Sequence, residues 1–172
     1  MHDFDIRPLD ASADTSAMLA DLLIETVAHG GSVSFMHPLA VDAARSFWDA
    51  SLAAADRDDR VVFGAWDGDR LVGTVTLLLD FPPNQTHRAE IAKMMTRVSH
   101  RGRGIASALL HEAEALAIRR ERTLLVLDTA ADGGASVLYE RLGYTLAGEV
   151  PDFALKPHGG LTGTKIYWKR IG

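Results

Sequence analysis

Lys93-Met94-Met95-Thr96-Arg97-Val98-Ser99-His100-Arg101-Gly102-Arg103-Gly104-Ile105-Ala106-Ser107 reads as an apolar strand, a glycine-rich turn and the start of an amphipathic helix. Glycines let a backbone approach a ligand closely. The first turn of a helix offers unpaired N–H groups and the positive end of its dipole to an anion. A pyrophosphate is the natural occupant of such a turn. The segment is not a P-loop, because no Gly-Lys-Ser/Thr follows, and Ser107 stands where a dinucleotide fingerprint expects a third glycine. Five basic residues, Arg88, Lys93, Arg97, Arg101 and Arg103, gather here against the single acid Glu90. That is a local positive patch suited to a small polyanion.

Working outward, apolar runs at Phe4–Arg7, Arg60–Trp66, Arg70–Leu79, Glu90–Thr96, Thr123–Asp128, Tyr144–Val150 and Lys165–Lys169 predict seven strands. Asp67-Gly68-Asp69 is a hairpin signal that makes the second and third antiparallel. Helical spacing appears at Met18, Leu19, Leu22 and Leu23, at Val41, Ala44, Trp48 and Leu52, and at Ile105, Leu109, Ala113 and Leu116. A short fourth helix runs from about Gly134 to Leu142 and stops at Gly143. The order βααβββαβαββ predicts an α/β chain of mixed α+β type, a seven-stranded mixed sheet with about four helices packed on it. Gly30–Pro38, Phe81–His87 and Pro151–Gly163 read as long loops, which often carry function.

The 172 residues fit a single domain over 1–172, long enough to bury a core. The chain has no cysteine, which excludes disulfides, thiolate metal sites and a cysteine nucleophile and suits a reducing compartment. The N-terminus has neither a basic region nor an apolar run, and no apolar stretch is long enough for a bilayer, so a cytoplasmic protein without a membrane partner is expected. A net charge of −5 argues against nucleic acid as the main partner.

Arg101-x-x-Gly104-x-Ala106, after a strand and before a helix, resembles the Arg/Gln-x-x-Gly-x-Gly/Ala signature of the GNAT acetyltransferases. Ala135-Ser136-Val137-Leu138-Tyr139-Glu140-Arg141-Leu142-Gly143-Tyr144 resembles a second landmark of that family. The resemblance implies the GNAT fold and acetyl-CoA as co-substrate, with no metal. By the same likeness the backbone N–H groups of Gly102, Arg103, Gly104, Ile105, Ala106 and Ser107, following Arg101, would hold the coenzyme A pyrophosphate. Met94 and Thr96 would hydrogen-bond the pantetheine arm and the acetyl carbonyl. Val98 stands where many relatives have Pro, and Asp132 where many have Asn. Glu25–Met36, Arg88-Ala89-Glu90, Leu127-Asp128-Thr129 and the region from Gly148 to Tyr167 look like the tabtoxin-resistance acetyltransferases within that family, so the resemblance covers nearly the whole chain.

Direct acetyl transfer to an amine through a tetrahedral intermediate needs a proton acceptor, a partner for the carbonyl oxygen and a proton for the departing thiolate. The resemblance offers Glu90 or Asp128 as the base, directly or through water, against the alternative of strand-end carboxylates paired with Arg88 or Lys93. It offers Tyr139 as the acid, against a core tyrosine. Phe35 and His37 are candidate lining residues of the acceptor pocket, though Phe35 and Met36 equally suit core plugs. His111-Glu112 opens like a zinc-protease motif, but Ala115 replaces the second His. The expected reaction is N-acetylation of a small-molecule amine, an amino-acid-like or β-lactam antimetabolite among the options. Alternatives are an aminoglycoside, a protein N-terminus, or a non-catalytic acyl-CoA-binding module. GNAT relatives are often dimers, which leaves a homodimer open.

Overall fold

A computed structural model describes residues 4–172. Its strands are β1 (Asp5–Pro8), β2 (Arg60–Asp67), β3 (Arg70–Leu78), β4 (Arg88–Thr96), β5 (Leu124–Ala130), β6 (Thr145–Leu155) and β7 (Leu161–Arg170). Its helices are α1 (Ala13–Ala28), α2 (Val41–Asp56), α3 (Ile105–Arg119) and α4 (Ser136–Arg141). The seven strands form one mixed sheet in the order β1-β2-β3-β4-β5-β7-β6, the architecture expected from the sequence. Among the described residues, no helix is long and apolar enough to cross a membrane.

Local chemistry sets the boundaries. Ser12 caps α1 by accepting from the Thr15 N–H at 3.1 Å. Gly68, at φ +60°, turns β2 into β3 where Asp67-Gly68-Asp69 predicts a hairpin. Gly73 lets α3 lie against β3, since a Cβ there would stand 2.8 Å from Ile105 Cγ2. The expected loop at Pro151–Gly163 is corrected: β6 runs on to Leu155, β7 starts at Leu161, and only the turn between them is irregular. β6 is an edge strand, exposed along most of its length, so it lacks the apolar alternation that marks a strand. Pro151 falls in a register irregularity between Val150 and Ala154, where a missing N–H breaks no ladder.

Two cores sandwich the sheet. Ala89, Ile91, Leu125 and Leu127 pack with Leu109, Leu110 and Ala113 of α3 and with Tyr139 of α4. On the other face Val62, Leu71 and Met95 lie with Leu19, Leu22 and Leu23 of α1 and Trp48 and Leu52 of α2. Successive side chains of a strand point to opposite faces, so Glu90 on β4 and Val126 and Asp128 on β5 belong to the face opposite the Leu125, Leu127 and α3 core.

Among the described residues β4 and β5 are the only parallel neighbours, and their register covers Arg88↔Leu124, Ala89↔Leu125 and Glu90↔Val126 alone. Beyond these pairs the strands part. β4 also carries a bulge: Met95 pairs with Thr74 and Ala92 with Thr76, which leaves Lys93 and Met94 without partners in the β3 register. Lys93 sits there at φ +50°.

Candidate active site

The parting of β4 and β5 opens a cleft of about 810 Å³, walled by Ile91–Thr96, Asp128–Ala130, the loop after α1, Arg101 and Gly102 of the turn, Ala106 and Tyr139. That volume lies in the range of specific ligand sites.

At one end stands the glycine-rich turn. Gly102 and Gly104 have φ +74° and +84°, left-handed conformations that glycine adopts without a Cβ penalty. Gly104 is the N-cap of α3 and supplies no side-chain hydrogen bond. The first helical bond is Ala108 N–H to Gly104 C=O at 3.0 Å, so the helix itself gives no acceptor to the N–H groups of Ile105, Ala106 and Ser107. This uncapped end beside the cleft fits a pyrophosphate. Arg101, Gly102 and Ala106 line the cleft, as do Met94 and Thr96. The Arg103 side chain turns instead toward Asp67 at 3.6 Å and over the Phe4 ring, and the Ile105 side chain is buried in the core. From these two, only backbone is available to a ligand at the turn.

An ion network centred on the buried Arg97 side chain fixes the turn to α1. Arg97 donates to Asp21 at 2.7 Å, to Glu25 at 2.6 Å and to the Leu71 carbonyl at 2.9 Å. The Val98 N–H donates to Glu25 at 2.8 Å, a bond that a proline at this position would not make. Burial alone would raise the Glu25 pKa, but the Val98 N–H and Arg97 outweigh it and hold the carboxylate below its usual range. Arg97→Met is expected to lower unfolding free energy by about 2–4 kcal/mol, the lower part of that span being favoured because Asp21 is 72% exposed while Glu25 is left in a partly buried site. Urea denaturation measures it, and a loss under 1 kcal/mol would contradict the reading.

Glu90 and Asp128 line one side pocket of about 240 Å³ together with Val126, Phe153, Thr164 and Ile166. Asp128 lines the main cleft as well, and its Oδ2 accepts the Thr164 hydroxyl at 3.0 Å. Glu90 pairs with Arg88 at 3.4 Å, and Arg88 is held by Gln85 at 2.9 Å and by the Phe81 ring. The Arg88 pairing anticipated for a strand-end carboxylate is therefore present at Glu90. Tyr139 reaches the cleft wall from the core, 5% exposed, with Tyr144 and Tyr167 around its ring. Burial, and secondarily the nearby Asp128 carboxylate, push its pKa up to about 12.

Two candidates lie elsewhere. Phe35 packs on the α1–α2 core, edge-to-face with Phe47 at 5.2 Å. His37 stacks on His158 at 4.4 Å and its N–H donates to the Pro157 carbonyl at 2.9 Å. Neither borders the cleft, whereas Ser32, Val33 and Ser34 of the same loop do. Asp132 accepts from Lys156 at 2.9 Å and Thr162 at 2.8 Å, so a carboxylate here ties β7 and the β6–β7 turn to the end of β5. Lys93 was legible in the sequence as part of the basic patch and as a possible partner of a strand-end carboxylate, not as a lining residue. The structure places it on the cleft wall, and the bulge that does so has no mark in the residue pattern. Among the described residues, no group of three or more His, Cys, Asp or Glu side chains is placed to hold a metal ion.

Residues 29–144 match the family model described as the acetyltransferase (GNAT) family. A curated relative, N-alpha-acetyltransferase 30 of Schizosaccharomyces pombe, is 35% identical over 83 residues, 48% of this chain and 55% of its own length. The chain thus spans little more than half of that relative. An N-acetyltransferase from Staphylococcus aureus Mu50 superposes with a TM-score of 0.81 at 18% identity over 99% of both chains. Salmonella typhimurium yncA, solved with its cofactor acetyl-CoA, gives 0.78 at 16% identity over 98% of this chain and 94% of its own. At these identities the two structures speak for the fold.

Proposed function

The chain belongs to the GNAT acetyltransferase family, and from that premise we propose that it moves the acetyl group of acetyl-CoA onto the amine of a small molecule, with Asp128 as the base and Tyr139 as the acid. The observation that carries this reading is the position of Asp128, on the wall of both the main cleft and the side pocket. A group there reaches an amine entering from the pocket and a thioester lying in the cleft.

Acetyl-CoA supplies the activated carbonyl, and the chain's residues do the rest. The turn from Gly102 to Ser107 holds the pyrophosphate with backbone N–H groups. Met94 and Thr96 orient the pantetheine arm and carbonyl beside the bulge. Glu90 and Asp128 attract the ammonium, and Asp128 accepts its proton, directly or through one water. The free amine attacks the carbonyl carbon to give a tetrahedral intermediate, the surplus proton on its nitrogen passes to water, and the C–S bond breaks as the intermediate collapses. Tyr139 gives its hydroxyl proton to the departing sulfur and regains one from solvent.

Because burial holds the phenol protonated, Tyr139 is a donor throughout the ordinary pH range. Tyr139→Phe is expected to lower kcat roughly tenfold or more while leaving acetyl-CoA affinity and Tm near wild type. The fall is smaller than for the base, since a thiolate with a pKa near 8.5 leaves without much help. A variant that melts early yet turns over normally when cold makes Tyr139 structural.

The test is release of free thiol from acetyl-CoA with a panel of small amino acids, β-lactam dipeptides and aminoglycosides. Amine-dependent release supports the reading, and hydrolysis or silence across the panel refutes it. The name of the fission-yeast relative favours a second acceptor, a peptide N-terminus, so short peptides belong in the same screen.

A further inference from the structure

We infer that Lys93, with Ser34, holds a carboxylate of the acceptor, so that the substrate is a free α-amino acid or a close analogue in place of a peptide N-terminus. This rests on the amine-acetylating reading and narrows it.

Lys93 is half-buried on the cleft wall, and its Nζ donates to the Ser34 hydroxyl at 3.0 Å. It also stands 5.7 Å from the centre of the Phe47 ring. Among the described residues it makes no ion pair. Burial makes the charge costly and lowers its pKa, Asp128 and Glu90 favour the cation from a distance, and Arg60 opposes it. A partly desolvated ammonium with a single neutral partner has donor capacity to spare. The Ser34 hydroxyl also has a proton to offer.

The backbone points the same way. Non-glycine residues rarely adopt positive φ, and where they do at a ligand site the strain often belongs to function. Among the described residues Ser34, Asp58, Lys93, Glu121 and Asp152 do so. Asp58 and Glu121 lie just past the ends of α2 and α3, an ordinary place for this conformation. Ser34 (φ +76°) and Lys93 (φ +50°) come from a loop and a β-bulge far apart in the chain, and their side chains meet at the cleft.

Charge is then divided between the cleft and the side pocket that Asp128 joins to it. Glu90 and Asp128 form an anionic wall suited to an ammonium, while Lys93 and Ser34 form a cationic, hydrogen-bonding corner. A zwitterion complements both. A peptide N-terminus brings only the ammonium and leaves the Lys93 corner facing a neutral carbonyl. A charge-assisted hydrogen bond in a partly dry site is about twice as strong as a neutral one, enough for roughly tenfold discrimination or more.

The experiment uses product analogues, so it does not depend on turnover. N-acetyl amino acids and the matching N-acetyl amino acid amides are titrated calorimetrically into the CoA-saturated protein. The pairs differ only in carboxylate against carboxamide. Wild type is expected to bind at least one acid about tenfold or more tighter than its amide, Lys93→Met to lose that preference, and Lys93→Arg to keep part of it. Equal binding of every pair by wild type, no binding by any member, or a preference that survives in Lys93→Met overturns the inference. A Lys93 that merely pins the loop would weaken acids and amides alike in Lys93→Met, which also overturns it. Amine-dependent thiol release decides the acetyltransferase reading separately, because amino acids and peptides serve it equally.

Discussion

Asp128→Asn is expected to lower kcat by about a hundredfold or more, the usual scale for loss of a general base, with acetyl-CoA affinity and Tm unchanged. The substitution is close to isosteric, and the amide oxygen still accepts the Thr164 hydroxyl that positions Asp128 at 3.0 Å. Geometry survives while proton affinity is lost. Glu90→Gln is expected to cost less, because Glu90 already shares its charge with Arg88 and borders only the side pocket. Tyr139 adds no falling limb near pH 10, where an ordinary phenol would, because its pKa is pushed up to about 12. Steady-state kinetics on the two variants decide the assignment. Full turnover in Asp128→Asn with loss in Glu90→Gln would exchange their roles, and full turnover in both would remove the carboxylates from the proton path.

Gly104→Asp acts on the coenzyme and should weaken acetyl-CoA at least about a hundredfold. Two effects add. An aspartate at φ +84° accepts a left-handed conformation that costs roughly 1–2 kcal/mol for most side chains and less for Asp or Asn. Its charge at the N-cap of α3 opposes the phosphates, and one like-charge contact near 4 Å costs about 4 kcal/mol at an effective dielectric of 20. The electrostatic term dominates, since a hundredfold loss needs only about 2.8 kcal/mol. Gly104→Asn, similar in shape and equally tolerant of positive φ, is the control and should lose far less. No atom lies within 4 Å of a Cβ built on Gly104, so both variants have room to fold. Equal affinities for wild type and Gly104→Asp, measured calorimetrically, would move the pyrophosphate elsewhere.

Much of this molecule was legible in its residues because local signals and global fold agree. The strand, turn and helix from Lys93 to Ser107 are announced by composition alone, and Asp67-Gly68-Asp69 announces the hairpin. The extended β6 escaped because an exposed edge strand has no apolar face to show. Lys93 escaped for another reason: a bulge is a mismatch between two strands, and neither strand alone records it. Phe35 and His37 share a loop with cleft-lining Ser32–Ser34 but do not line the cleft themselves, because which side chains of an irregular loop face it depends on packing against α2 and the β6–β7 turn. Side chains on β4 and β5 follow the strict alternation of a strand, and so the shared face of Glu90 and Asp128 is recoverable from spacing once both strands are known.

The separation of β4 from β5 after three residue pairs has a consequence for solubility. It leaves the facing edges of Ile91–Thr96 and Leu127–Ala130 without a partner strand, although each stretch is still laddered on its other side to β3 or β7. Terminal edges are commonly guarded by charge or brevity, and the four-residue β1 follows that rule. The inner edges are guarded by depth. The loop after α1 and the β6–β7 turn meet across the opening through His37 and His158, through the Pro157 carbonyl, and through the 2.9 Å contact of His158 with the Ala28 carbonyl. The contacts that tie this loop to the β6–β7 turn thus lie beside backbone edges that would otherwise be open to another chain.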